Sequence, residues 1–284
     1  MTIDSHHHFW QYDPAQYDWI VDSMSVLRRD FLPDDLRRRT AQAGVDGVVS
    51  VQARQTLDET WWLLSLAKRH DFIRGVVGWV PLASPDLRRD LESLAREHKL
   101  VGMRHVVQGE PDENFILRDD FNRGVAALLD FGLRYDILIF ERHLPQTIRF
   151  VDRHPGQLFV LDHVAKPRIK AREIEPWREN IAELARRDNV YCKVSGMVTE
   201  ADPRNWTPEQ VRPYFDVVLE AFGPDRLMFG SDWPVCLVGI DYQRWGEIVR
   251  GWTESLTTSE QDRIFGGTAV EAYGLDAHAA DADG

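Results

Sequence analysis

A chain of 284 residues, 43% of them hydrophobic and 28% charged, has enough apolar surface for one large α/β domain or two ordinary ones. Its 34 lysines and arginines against 46 acidic residues give a formal net charge of −12, and no block of basic residues occurs. This balance argues against nucleic acid and anionic membranes as partners, because both attract basic surfaces.

Two further features of the sequence concern location. No apolar stretch reaches transmembrane length, and residues 1–20 lack the basic start and apolar stretch of a secretory signal. The two cysteines, Cys192 and Cys236, form no C-x-x-C pattern. Two such isolated cysteines are typical of free thiols in a reducing compartment. We therefore expect a cytoplasmic protein that acts on a small molecule, and the sequence leaves a homo-oligomer open.

Short apolar, β-branched segments recur along the chain and predict eight strands. Several are apolar on both faces, as parallel strands covered by helices are. The predicted strands lie near residues 2–8, 46–53, 73–80, 100–107, 133–140, 158–164, 190–195 and 226–231.

Segments with helical periodicity lie between these strands, with clear examples at 87–98 and 121–132. Thr258 followed by Gln261 predicts a capping box that starts a last helix at about 259–273.

The repeated alternation of strand and helix predicts a single (β/α)8 TIM-type barrel over residues 1–275. A doubly wound open sheet is the alternative, but no G-x-G-x-x-G follows the first strand. The polar, small-residue segment 276–284 is predicted to be a disordered tail.

The first predicted strand carries a His-x-His pair. Side chains two residues apart on a strand point the same way, so His6 and His8, with Asp4 behind them, are expected to face one spot and His7 the other side. Two such imidazoles can bind a metal or hold an anionic oxygen. A tag remnant is the alternative, but the three histidines run directly into an apolar strand.

Polar residues also stand at the ends of the later predicted strands, where the active site of a barrel lies. Each has a structural alternative, such as a core histidine, a helix cap, a core aromatic or a rim ion pair. Charged groups are costly inside apolar strands, so their concentration there predicts a shared polar site. The residues are Gln52, Arg104, His105, Tyr135, Asp136, Asp162, His163, Lys166, Lys193, Ser195 and Asp232.

Four motifs, taken in chain order, resemble those of a known protein family. The opening I-D-x-H-x-H-F-W, the D-H-x-x-K-P after strand six, the C-K-x-S-G of strand seven and the G-S-D-W-P of strand eight resemble the sugar-lactonase branch of the amidohydrolase superfamily. The resemblance spans about residues 2–275 and implies an amidohydrolase-like (β/α)8 barrel. The implied activity is that of a carboxylic-ester hydrolase that opens a sugar-acid lactone, of the L-fucono type or a related aldonolactone.

The resemblance also implies roles for individual residues. The histidines His6, His8 and His163 would bind or polarise the reacting carbonyl, and Asp232 would activate water. Implied or candidate substrate contacts are Arg104, Tyr135, Lys193 and Gln52, together with the aromatic residues Trp10, Trp79 and Trp233 near strand ends.

Strands four and five depart from the binuclear members of the superfamily, which place a bridging Lys or Glu and a histidine there. Arg104 would repel a second cation at that place. We therefore expect either no required cofactor or a single divalent ion, zinc first, held by His6, His8, His163 and Asp232.

Three alternatives stay open from the sequence. A metal-dependent decarboxylase of the same superfamily also combines His-x-His with an aspartate on strand eight. A 2-pyrone-dicarboxylate-type lactonase would need several arginines, whereas only Arg104 stands at a strand end. A non-catalytic sugar-acid-binding barrel would be expected to lack Asp232.

Overall fold

The computed structural model describes residues 1–276. Its eight strands are all parallel and pair in chain order, so the predicted (β/α)8 barrel is confirmed. Each strand lies within its predicted range: β1 Ile3–His7, β2 Gly47–Val51, β3 Ile73–Gly78, β4 Leu100–Val106, β5 Arg134–Leu138, β6 Phe159–Leu161, β7 Val190–Val194 and β8 Leu227–Phe229. Apart from Asp276, the predicted tail at 276–284 lies outside the described residues, and the domain limits 1–275 stay a prediction.

Helices follow the strands and cover the outside of the barrel. Side-chain caps start several of them; the Thr56 side chain, for example, accepts a hydrogen bond from the backbone N–H of Glu59. The helices are α1 Pro33–Ala43, α2 Leu57–Arg69, α3 Leu87–Leu94, α4 Asp119–Ala127, α5 Leu144–Asp152, α6 Trp177–Leu184, α7 Pro208–Phe222, α8 Tyr242–Thr253, α9 Thr258–Asp262 and α10 Thr268–Tyr273.

The predicted last helix is wrong in two respects. Its capping box uses Thr257 and Glu260, one residue earlier than predicted, because Thr257 is the last residue with an extended backbone. A π-helical stretch at Arg263–Gly267 also separates α9 from α10. Within it, a side chain at Gly266 would lie 2.1 Å from the carbonyl oxygen of Met1, so the glycine allows this segment to approach the start of β1.

Apolar side chains fill the N-terminal end of the barrel. Valines and other aliphatic residues of the strands form this layer, and α10 packs against it and closes this end of the barrel. The layer contains Ile3, Val49, Val51, Val77, Val101, Val160, Met228, Ala269 and Tyr273. A polar site is therefore confined to the opposite, C-terminal end.

The barrel closes where β1 meets the segment after β8. Two backbone hydrogen bonds join them, from His8 N to Trp233 O at 2.7 Å and from Asp232 N to His6 O at 2.8 Å. This closure brings the first and last motifs of the sequence side by side. Within the described residues 1–276, every helix is too short or too polar to cross a lipid bilayer.

Candidate active site

Three histidines and one aspartate meet at the C-terminal end of the barrel. His6 Nε2 lies 3.2 Å from His8 Nε2. Asp232 Oδ1 lies 3.4 Å from His8 Nε2 and 3.9 Å from the Nε2 atoms of both His6 and His163. The structure thus brings together the four residues that the sequence singled out, and we call them the histidine–aspartate cluster.

The other ring nitrogen of each histidine has a partner outside the cluster. His8 Nδ1 lies 2.8 Å from the Val51 carbonyl, which can only accept, so a neutral His8 carries its proton on Nδ1. His163 Nδ1 lies 2.9 Å from Ser195 Oγ, and His6 Nδ1 lies 3.2 Å from Asp162 Oδ1. These partners fix the ring orientations and direct the Nε2 atoms at the cluster.

Burial sets the charge states of the cluster. It lowers the pKa of His6 well below 6.5 and that of His163 to about 4, because a buried imidazolium loses its hydration. Burial alone would raise the pKa of Asp232, but the charge of His163 and the electrostatic attraction of His8 and Lys166 outweigh it and lower that pKa below 3.8. At neutral pH the cluster therefore combines a carboxylate with neutral imidazoles at His6 and His163.

Asp232 occupies a sharp turn after β8. Its backbone φ is 57°, a left-handed conformation that costs a non-glycine residue about 1–3 kcal/mol. Asp4 secures the turn, since its Oδ1 accepts from Ser231 N at 2.8 Å and its Oδ2 from Ser231 Oγ at 2.6 Å. The expectation that Asp4 stands behind the histidines is wrong, because irregular pairing of β1 between Asp4 and His7 interrupts the alternation.

A layer of buried charges lies between the apolar end of the barrel and the cluster. We call Arg104, Asp136, Asp162 and Lys193 the ionic layer. Lys193 Nζ lies 2.6 Å from Asp136 Oδ2 and 3.0 Å from Asp162 Oδ1, and Arg104 Nη1 lies 2.9 Å from Asp162 Oδ2. Tyr273, from the closing helix α10, donates its hydroxyl to Asp136 at 2.7 Å.

The two carboxylates of the ionic layer respond differently to burial. Burial raises the pKa of Asp136 despite its bond to Lys193. At Asp162 the burial effect is outweighed by the charges of Lys193 and His6 and by Arg104, so its pKa falls well below 3.8. Asp162 is therefore a fixed negative charge beside His6.

A cavity of about 810 Å³ opens above the cluster. His8, Arg104, His163 and Asp232 form part of its lining. Its walls come from the loops that follow the strands, including the long loop between β1 and α1, and they contain Trp19, Arg54, Lys166 and Glu200. Both the volume and this mixture of aromatic and charged groups suit a small polar ligand.

Three of these wall residues, Trp19, Arg54 and Glu200, were missed in the sequence. Loops have no periodicity that orients their side chains. Glu200 nevertheless follows the end of β7 by a few residues, where loops of a barrel carry functional groups. A search for charged residues in those loops would have found it.

The residues 163–166 form an unusual turn after β6. All four have positive φ, between 48° and 61°, a left-handed conformation that costs about 1–2 kcal/mol per residue. Lys166 N donates to His163 O at 2.8 Å, and the indole of Trp177 donates to Val164 O at 2.8 Å. This turn explains why β6 is shorter than predicted, and it brings His163 and Lys166 to the same cavity.

Three predicted substrate contacts lie away from the cavity. Lys193 is fully buried in the ionic layer. Gln52 is also fully buried, and its Nε2 donates to the Arg104 carbonyl at 3.3 Å, so it supports Arg104 instead. Tyr135 points outward into the aromatic core, because strand alternation turns its neighbour Asp136 into the barrel. Of the predicted polar contacts, Arg104 is the one that lines the cavity.

The three predicted tryptophans also lie outside the cavity lining. Trp10 and Trp233 both pack against Phe31, with ring centroids 5.4 and 5.2 Å from it, and belong to the hydrophobic core. Trp79 donates its indole N–H to a neighbouring histidine at 3.3 Å. Trp19, from the same loop as Trp10, lines the cavity in their place.

The donor set of the cluster fits one divalent cation. Tetrahedral zinc with bonds of about 2.0–2.1 Å places its ligand atoms roughly 3.4 Å apart. The atoms of His6, His8 and Asp232 lie 3.2 to 3.9 Å from one another, and the Nε2 atom of a neutral His8 is unprotonated and free to coordinate. Arg104 Nη1 lies 3.3 Å from His6 Nε2, so a zinc ion would compete with this guanidinium for that nitrogen, and the same positive charge opposes a second cation.

Comparison with known proteins agrees with this architecture. The family model described as Amidohydrolase matches residues 3–275. An L-fucono-1,5-lactonase of Burkholderia multivorans is 42% identical over 97% of this chain and 96% of that protein; one of Burkholderia ambifaria is 38% identical over 96% of both. A crystal structure of a Burkholderia multivorans amidohydrolase with bound zinc has a TM-score of 0.93 and 42% identity, covering 97% of this chain and 100% of that one. The chain therefore belongs to the amidohydrolase family.

Proposed function

We propose that this protein hydrolyses the ester bond of a sugar-acid lactone, with L-fucono-1,5-lactone as the first candidate substrate. The observation that carries the proposal is the carboxylate of Asp232 held among three histidines at the base of a polar cavity. The two lactonases that are 42% and 38% identical over almost the whole chain support the same reaction.

Asp232 is the proposed general base. Its lowered pKa keeps it ionised at neutral pH. Its Oδ1 faces the histidines, which leaves Oδ2 to accept a proton from the water that attacks the lactone carbonyl. The protonated carboxyl then returns that proton to the ring oxygen as the C–O bond breaks. Positioned proton transfer of this kind contributes about 10²–10⁴-fold to a rate.

Arg104 is the proposed electrostatic partner of the reaction. Its guanidinium lines the cavity beside His6, and its bond to Asp162 fixes its position. A fixed positive charge at this place stabilises the negative charge that develops on the carbonyl oxygen.

We infer that the metal, where one is bound, is zinc held by His6, His8, His163 and Asp232. Bound there, zinc would act as a Lewis acid toward the carbonyl and lower the pKa of water. A lactone is a cyclic ester and is more reactive toward water than an amide, so we expect the residues above to support a slower reaction without the metal.

A neutral substrate fits the cavity better than a carboxylated one. Arg104 is already bound to Asp162 at 2.9 Å, and Arg54 lies 3.4 Å from Glu59. A dicarboxylate lactone, or the substrate of a decarboxylase, would need a cation free to bind its carboxylate. Both arginines instead face protein carboxylates, and the third cation of the lining, Lys166, lies 3.8 Å from Glu200, whose negative charge opposes a carboxylate on the substrate.

A panel of lactones with a pH indicator, with and without a chelator, tests the proposal. Neutral six-carbon aldonolactones of the L-fucono or L-rhamnono type should be hydrolysed with higher kcat/KM than any carboxylated pyrone lactone. Preference for the carboxylated class, or hydrolysis of neither, would overturn the assignment. A cytoplasmic location and a homo-oligomer stay predictions.

A further inference from the structure

The Lys166–Glu200 pair stands in the cavity wall and takes no part in the mechanism above. Lys166 Nζ lies 3.8 Å from Glu200 Oε1, beyond hydrogen-bond distance, and the two side chains are only 17% and 22% exposed. Within residues 1–276 the Lys166 ammonium and the Glu200 carboxylate make no hydrogen bond to protein, in contrast to the charges of the ionic layer. The pair therefore offers free donors and acceptors to whatever occupies the cavity.

The backbone is built to present Lys166 at this place. The left-handed turn 163–166 brings His163 and Lys166 to the same cavity, and a hydrogen bond of 2.8 Å from Lys166 N to His163 O closes it. Gly196 makes room for the turn, because a side chain there would come within 2.6 Å of His163 Nδ1. A strained conformation of this kind persists where surrounding contacts hold it, and such conformations cluster at functional sites.

The electrostatics of Glu200 also favour a hydroxyl ligand. Burial raises the pKa of its carboxyl. The charge of Lys166 opposes this rise, and the nearby charge of Asp232 adds to it. A partly buried carboxylate without a hydrogen bond is stabilised by any donor that reaches it. Sugar hydroxyls are donors and acceptors at once, so adjacent hydroxyls can bond to both members of the pair.

We propose that Lys166 and Glu200 together determine substrate specificity by binding two neighbouring hydroxyl groups of the lactone. The Lys166 ammonium donates to one hydroxyl oxygen, and the Glu200 carboxylate accepts from the next hydroxyl. This inference rests on the proposed lactonase function and adds to it a reason for selecting neutral, hydroxyl-bearing rings. A carboxylate on the substrate would meet Glu200, whose negative charge repels it.

The test compares Lys166→Met and Glu200→Gln with the wild type on an aldonolactone and on a deoxy analogue that lacks one ring hydroxyl. For the full aldonolactone, Lys166→Met should raise KM about tenfold, the usual worth of a hydrogen bond to a charged group, and change kcat less. The analogue should show a smaller penalty in at least one of the two variants. Lys170→Met is the matched control, because Lys170 lies on the same segment but is exposed and outside the cavity lining.

Glu200→Gln has a second expected effect. It removes the repulsive charge, so the ratio of kcat/KM for a carboxylated lactone to that for the neutral one should increase. Equal penalties for the full lactone and every deoxy analogue in both variants, with an unchanged ratio, would overturn the inference.

A binding measurement separates failure of this inference from failure of the proposed function. L-fucose has hydroxyls but no ester, so it can bind without reacting. It should raise the Tm of the wild type and of Lys170→Met, and it should raise the Tm of Lys166→Met by a smaller amount. If the wild type hydrolyses no aldonolactone, the proposed function fails while this binding difference still decides the inference. If hydrolysis occurs and the variants bind and react like the wild type, only the inference fails.

Discussion

Charges of both signs meet at two depths of this barrel, and they are arranged differently. In the ionic layer, Lys193 reaches two carboxylates at 2.6 and 3.0 Å, and every charged side chain is at most 4% exposed. In the cavity wall, Lys166 and Glu200 lie 3.8 Å apart and are partly exposed. The deeper charges are satisfied by the protein itself, whereas the outer pair keeps its hydrogen-bonding capacity for a ligand.

The difference follows from the cost of desolvation. A charge fully removed from water is tolerated only with good partners, so the ionic layer must be complete before any ligand arrives. A charge beside a cavity that is open to solvent needs no protein partner, because water solvates it until a ligand binds. Position inside the barrel thus separates groups that orient the site from groups that select the substrate.

The first and largest expected effect concerns stability at the two depths. Lys193→Met leaves Asp136 and Asp162 buried without their shared ammonium, so the free energy of unfolding should fall by about 3–5 kcal/mol. Lys166→Met, the same change at the cavity wall, should cost less than about 1 kcal/mol. Urea unfolding of both variants measures this. Similar losses in the two would contradict the comparison.

The second prediction concerns the base between the two depths. Asp232→Asn keeps the shape of the side chain but removes its ability to accept a proton, so kcat for lactone hydrolysis should fall at least about 10²-fold. Its Tm should stay close to that of the wild type. Asp18→Asn, an exposed cavity residue, is the control and should retain activity. A near-normal rate in Asp232→Asn would remove the residue from the mechanism.

The sequence was sufficient for the barrel because its signals are local. Apolar, β-branched segments predicted all eight strands, and their order followed from alternation with helices. It was insufficient where backbone geometry is irregular. The bulge in β1 turned Asp4 away from the histidines, and the left-handed turn at 163–166 ended β6 early. Neither has a residue pattern, since non-glycine residues rarely adopt a positive φ.

For the site, the location of a polar residue at a strand end predicted where its side chain lies better than it predicted what that side chain does. His6, His8, His163 and Asp232 converge, because all follow the carboxyl ends of strands. Lys193 also belongs to a strand, but it points to a deeper layer that the sequence cannot distinguish from the cavity. Loop residues were the hardest to place: Trp10 was predicted to contact the substrate, yet it lies in the core, and Trp19 lines the cavity.

The third prediction concerns zinc affinity at the boundary between the two depths. Wild-type protein should bind at most one zinc ion per chain. Ser195→Ala removes the hydrogen bond to His163 Nδ1, which should weaken zinc binding about 10–100-fold, the usual effect of losing such a partner. Ser50→Ala is the matched control, because Ser50 bonds at 2.9 Å to His7, which faces away from the cluster. Metal titration with a competing chelator measures both, and a second bound ion or equal losses would contradict the site.

The smallest expected effect is a pH dependence confined to the cavity wall. Burial raises the pKa of Glu200 above 4.5; Lys166 opposes this rise, and the charges of Asp232 and Glu141 add to it. Because the folded pKa is raised, the carboxylate is lost as pH falls through a value above 4.5, and with it the acceptor for a sugar hydroxyl.

KM for a neutral aldonolactone should therefore rise as the pH falls toward 4.5, by roughly two- to tenfold, the usual range for one hydrogen bond. Glu200→Gln cannot titrate, so its KM should lack this rise, whereas Lys170→Met should behave like the wild type. Steady-state kinetics over this pH range give KM for each variant and for the wild type. Comparing their KM profiles removes the effect of groups that titrate elsewhere in the site, because all of the proteins share those groups. Parallel KM profiles for Glu200→Gln and the wild type would show that Glu200 makes no contact with the substrate, and the open charges of the cavity wall would then have no role in binding it.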